Sequence, residues 1–179
     1  MKIACLGWGS LIWRPENLPI QNSWFENGPM LPIEFTRISS NDRVTLIIDK
    51  KAKPIRTLWT LMTKNNLSDC INSLAQREET NSNNIHHIST RDSTDDDVKM
   101  IIKEWLLNNN LDTAIWTALS FSSKTNNIRP DIQIILKHLD TLDTDKKKKA
   151  EEYIRKAPKQ IDTDYRREIE AKFGWTNLD

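Results

Sequence analysis

The apolar positions along this chain change period, and the changes divide it into three stretches. Between residues 2 and 62 short apolar runs alternate with polar residues, the two-residue rhythm of strands. Residues 2–6 form an apolar run that stops at Gly7, the pattern of a buried strand entering a tight turn. Residues 31–38, 44–48 and 56–62 predict further strands. Ser39-Ser40-Asn41-Asp42 and residues 50–54 punctuate them as hairpin loops would, so the stretch reads as an antiparallel meander.

From residue 67 the period lengthens. Leu67, Ile71, Leu74, Ala75 and Glu78 stand three and four apart and share one helical face. Residues 85–89 predict a short strand. Residues 94–107 predict a helix capped by Thr94, with Asp97 in the capping-box position and Val98, Ile101, Ile102 and Trp105 facing inward. Residues 113–119 are rich in strand formers and are expected to join the sheet. The last third is helical. Pro130 suits a first turn ahead of Ile132, Ile135, Leu136 and Leu139. Thr144 caps a helix carrying Ala150, Tyr153, Ile154 and Ala157, which Pro158 stops. Thr163 starts a final helix through Ile169 and Phe173, with Gly174 as its C-terminal cap.

Composition narrows the class. At 179 residues the length predicts one domain, residues 1–179, with a helical C-terminal extension from about residue 129. A formal net charge of +1 argues against a dedicated nucleic-acid protein. No run approaches the length of a membrane span, which takes about 18 apolar residues. Cys5 and Cys70 are too few for a disulfide framework or a thiolate zinc site, so a reducing cytoplasm is expected, with no metal and no cofactor. Seven tryptophans are many for this length and predict a firm core, an aromatic-lined pocket, or both.

Two places carry candidate chemistry. In Gly7-Trp8-Gly9-Ser10-Leu11 two glycines flank an aromatic residue at a strand end. They let the backbone bend so that successive N–H groups converge on an anion, and Ser10 adds a hydroxyl. The alternative is a plain turn. The second is Glu78, last on the apolar face of its helix, while Glu79 is rotated about 100° away. A partly desolvated carboxylate there suits proton transfer. The alternative is a helix that simply ends, with Glu78 paired to Arg77 or another base.

Taken together, these two places resemble the γ-glutamylcyclotransferase-like superfamily, most closely its ChaC branch. The resemblance covers residues 3–80, and more weakly 114–119. It rests on Trp8-Gly9-Ser10-Leu11-Ile12-Trp13-Arg14-Pro15, on Phe35-Thr36-Arg37 ahead of Arg43-Val44-Thr45-Leu46, on Leu58-Trp59, and on Arg77-Glu78. It implies an α+β fold with a small, mostly antiparallel sheet curled into a barrel and surrounded by helices. It also implies release of 5-oxoproline from a γ-glutamyl amine or peptide. Gly9, Ser10 and Leu11 would hold the substrate's carboxylate, beside Gly7 and Trp8, and Glu78 would act as acid and base. Trp8 stands where the family has a tyrosine, no glycine follows Arg77-Glu78-Glu79, and the C-terminal third is unlike ChaC.

Two other functions fit the same sequence. One is a non-catalytic binder of a carboxylate-bearing small molecule. The other is an interaction protein working through the C-terminal helices. His86 and His87 are adjacent and point to opposite faces of a strand, so they do not chelate one ion. The acidic run 95–97 reads as a helix start and the lysine run 146–149 as a solvated face. The oligomeric state is not legible.

Overall fold

The computed structural model describes residues 1–21 and 23–178. Its strands are β1 (Ile3–Gly7), β2 (Met30–Ile38), β3 (Val44–Ile48), β4 (Pro54–Arg56), β5 (Leu58–Leu61), β6 (Ile85–Ser89) and β7 (Thr113–Thr117). Its α-helices are α1 (Leu67–Arg77), α2 (Asp97–Asn108), α3 (Ile132–Asp140), α4 (Thr144–Lys156) and α5 (Asp164–Phe173). The architecture is α+β, and the chain divides into two compact units.

Met1–Gly7, Arg14–Leu31 and Arg56–Ala118 make up the first unit. Its sheet runs in the order β5-β1-β7-β6. Strand β1 is antiparallel to β5, with Cys5 opposite Thr60, and parallel to β7, with Cys5 opposite Ile115. Strand β6 pairs antiparallel with β7. An inner strand covered on both faces has no solvent side, which is why β1 is apolar throughout rather than alternating. Helices α1 and α2 both pack on β6 and β7. Trp59 and Trp105 meet edge to face at 5.3 Å, and their indole N–H groups donate to the Asn27 side chain and carbonyl.

Trp8–Trp13, Pro32–Ile55 and Leu119–Asp179 make up the second unit. It contains most of the sheet β3-β2-β4, with α4 packed on β3 and α3 on α4 and α5. Two buried polar groups tie α5 in place. Glu34 of β2, 3% exposed, accepts from the Thr163 hydroxyl, which itself caps α5, and from the Tyr165 N–H. Arg166, 2% exposed, donates to the carbonyls of Ile154, Ala157, Pro158 and Ile161 and to Glu170. One guanidinium thus satisfies the carbonyls that Pro158 leaves open where α4 stops.

The structure corrects several expectations. Two separate sheets stand where one curled sheet or barrel was expected, and β1 lies in a different sheet from β2 and β3. The strand expected over 56–62 breaks at Thr57. Its N–H and hydroxyl both bond the Pro29 carbonyl and its own carbonyl accepts from Gly28, so β4 and β5 enter different sheets. Asp96, not Thr94, caps α2, and Asp143, not Thr144, caps α4, each accepting from an N–H three residues on. Ile101 is 37% exposed, and Leu106 takes the inward place assigned to it. Among the described residues no helix is long and apolar enough to cross a membrane.

Candidate functional site

Gly7 closes β1 in the first unit, and Trp8, Gly9, Ser10 and Leu11 belong to the second. Ile12 donates to the Gly9 carbonyl at 3.0 Å, so residues 9–12 make a turn. Trp8 and Leu11 are buried, and Ser10 is half-buried. Among the described residues Gly174 is the glycine with a positive φ, so neither Gly7 nor Gly9 serves by left-handed backbone. Gly9 serves by its size. A Cβ there would lie 2.4 Å from the Tyr153 hydroxyl.

Tyr153 is the residue that sequence reasoning missed. It sits in the apolar stripe of α4 and read there as core, yet it brings a phenol hydroxyl against the loop. The Trp8 side chain in the loop has no such group. The Tyr153 ring meets Trp13 edge-on at 5.5 Å and Phe35 at 6.4 Å, which fixes its direction.

Glu78 ends α1 in the first unit. Its N–H bonds Leu74 O, and Glu79 then takes a left-handed φ of 50°. Glu79 N–H reaches Gln76 O and Thr80 N–H reaches Ala75 O, the paired bonds of a Schellman ending. The buried face of α1 is Cys70, Leu74 and Ala75, and Glu78 lies at its margin with a side chain 20% exposed. Its carboxylate pairs with Arg77, whose guanidinium also bonds the Arg14 carbonyl. The carboxylate is therefore both partly desolvated and held. Burial pushes the Cys5 thiol far up, Glu78 adds to that rise, and Arg77 opposes it. The Glu78 charge is thus felt in the middle of the strand that ends at Gly7.

A shallow depression of about 480 Å³ elsewhere in the first unit is lined by His86, His87, Asp92, Ser93, Thr94 and Lys99 among others. It contains none of the candidate residues. Burial, then Lys99, holds His86 below its ordinary range. Among the described residues no three His, Cys, Asp or Glu side chains gather in metal-binding geometry. Compared with protein-family models, curated proteins and solved structures, the chain matches none.

Proposed function

We propose that this protein is a γ-glutamylcyclotransferase-like enzyme that releases 5-oxoproline from a γ-glutamyl amine or peptide in the cytoplasm. The observation that carries the reading is Glu78: a half-buried carboxylate, fixed by Arg77 at the end of α1, acting electrostatically on the strand that leads into the glycine loop.

In this reading the γ-glutamyl compound is held with its α-ammonium group at Glu78. Glu78 accepts a proton from the substrate's α-ammonium group. The freed amine attacks its own γ-carbonyl carbon, a C–N bond closes the five-membered lactam, and the original γ-amide C–N bond breaks. Glu78 returns the proton to the departing amine. Both reacting groups belong to one molecule, so positioning supplies much of the rate. A positioned acid–base group contributes on the order of 10²–10⁴-fold.

A second reading, a binder that holds a carboxylate-bearing molecule without turning it over, is favoured by the Arg77–Glu78 pair, since a carboxylate committed to a neighbour serves structure as well as chemistry. The test is 5-oxoproline release from a panel of γ-glutamyl peptides and amines, by wild type and Glu78→Gln. Cyclotransfer predicts release that Glu78→Gln lowers by about 10²-fold or more while substrate affinity changes little. Release that Glu78→Gln leaves unchanged overturns the mechanism, and binding without release establishes the second reading.

A further inference from the structure

Two arginines of the second unit form no ion pair among the described residues. Arg37 on β2 and Arg43, just before β3, are both half-buried. Their Nε atoms are shut off from solvent and meet no acceptor among the described residues. Neither guanidinium pairs with a described carboxylate, whereas Arg129 of the same unit is matched to Asp49 at 2.6 Å. A buried donor without a partner is costly, and more so when charged, so a chain that keeps two on one sheet face invites a functional explanation.

Their placement points the same way. Arg37 stands opposite Thr45 in the β2–β3 ladder, and Arg43 precedes Thr45 by two residues. The two are thus diagonal neighbours on one sheet face. Tyr153 joins them: the Arg43 guanidinium lies 5.8 Å from its ring centre, and its phenol acts electrostatically on Arg37. That phenol is the group pressed against Gly9. Burial holds the Arg37 guanidinium below its ordinary range, the mark of a cation without enough compensation. The turn that presents Arg43 is braced. Ser39 Oγ accepts from the Arg43 N–H, and Asp42 is bound by Lys124, by Lys146 and, through its carbonyl, by the His138 ring.

We infer that Arg37, Arg43 and the Tyr153 hydroxyl form a binding site for an organic carboxylate on the second unit, with the half-buried ring of Trp13 beside it for the carbon skeleton. A guanidinium presents a planar fork that fits a carboxylate side-on through Nε and one terminal nitrogen, and the orphaned Nε atoms are the half of that fork left unused. The site stands without Glu78 and without cyclotransfer.

The test uses glutarate and inorganic phosphate as probes, followed by titration calorimetry and by the Trp13 indole N–H signal in NMR spectra. Wild type is expected to bind glutarate, and Arg37→Met/Arg43→Met to bind it at least 10-fold more weakly. The same double variant should melt no lower than wild type, because it removes unpaired buried charge. A purely structural pair would instead lose stability and leave binding alone. If the double variant does not fold, Arg37→Lys serves: it keeps the charge but loses the fork, and should weaken glutarate several-fold. Equal glutarate binding by wild type and variant, or no binding by wild type, overturns the site. Phosphate binding without glutarate binding overturns its assignment to carboxylates. Glu78→Gln should leave glutarate affinity unchanged, so a protein that binds glutarate through the arginines yet releases no 5-oxoproline keeps this site and loses the proposed activity.

Discussion

The Tyr153 hydroxyl occupies the space that a side chain on Gly9 would need. An added Cβ would stand 2.4 Å from the hydroxyl oxygen and 3.4 Å from the ring carbon that bears it. The ring has little room to yield, because Trp13 and Phe35 flank it and Tyr153 is only 7% exposed. Glycine is required here by an approach from α4, a contact more than a hundred residues away in the chain.

Gly9→Ala should therefore destabilise the protein by about 1–3 kcal/mol, the usual range for overpacking. Removing the oxygen removes the nearest clash and leaves the ring at ordinary contact distance. In the double variant Gly9→Ala/Tyr153→Phe, part of the loss should return, with a coupling of about 1 kcal/mol in a urea-denaturation cycle. Strictly additive losses would show that the loop and the phenol do not meet.

Glu79→Gly should stabilise the protein. Glu79 holds a left-handed φ of 50° that a Cβ disfavours by about 1–2 kcal/mol, partly offset by glycine's greater freedom in the unfolded chain. A gain of about 0.5–1 kcal/mol is expected, or roughly 1–4 °C in Tm for a domain of this size. Glu78 keeps its position, so any activity or ligand binding should be unchanged.

Arg166→Lys should cost about 2–4 kcal/mol, because one ammonium group cannot reach all the carbonyls the guanidinium bonds, and buried acceptors are left open. The urea midpoint should fall with an unchanged m-value. The variant of the neighbouring exposed residue, Arg167→Lys, should be near neutral by the same measurement.

The Asp42 cluster predicts an acid-sensitive contribution to stability. Hydrogen bonds from Lys124 and Lys146 hold the Asp42 carboxyl down, from 3.8 to about 2. The folded value is depressed, so the contribution is present above the unfolded value near 3.8 and disappears as the pH falls through 2. Asp42 in turn holds the Lys146 ammonium group above its ordinary range, so that partner stays charged throughout this window. Asp42→Asn should melt below wild type at pH 5–7, and the difference should close between pH 4 and pH 2. A difference that persists at pH 2 would assign the effect to the turn itself.

Much of the secondary structure was legible because it follows from local chemistry. The apolar run 2–6, the alternation in 44–48 and the 3.6-residue stripe ending at Glu78 each reflect which faces of one segment must leave water. Thr163 as a cap and Gly174 as a left-handed ending were legible for the same reason. The caps at Asp96 and Asp143 were displaced because neighbouring residues carried equally good acceptors, and only backbone geometry chooses between them.

The candidate site divides along the same line. Glu78 and the glycines were visible as residue types in a pattern, since a carboxylate ending an apolar stripe and paired glycines at a strand end stand out locally. The break at Thr57 was not visible, because its hydrogen bonds go to Gly28 and Pro29, far back in the chain. Tyr153 looked like one more apolar position of its helix, and Arg37 and Arg43 entered only as positions of the family resemblance. Sequence by itself determined which segments bury a face and, at Thr163 and Gly174, where an end is capped, because those depend on neighbours within a few residues. Tertiary structure alone decided which strands share a sheet, which phenol meets Gly9 and which guanidinium groups meet no carboxylate among the described residues, because those depend on what distant segments bring to the same place.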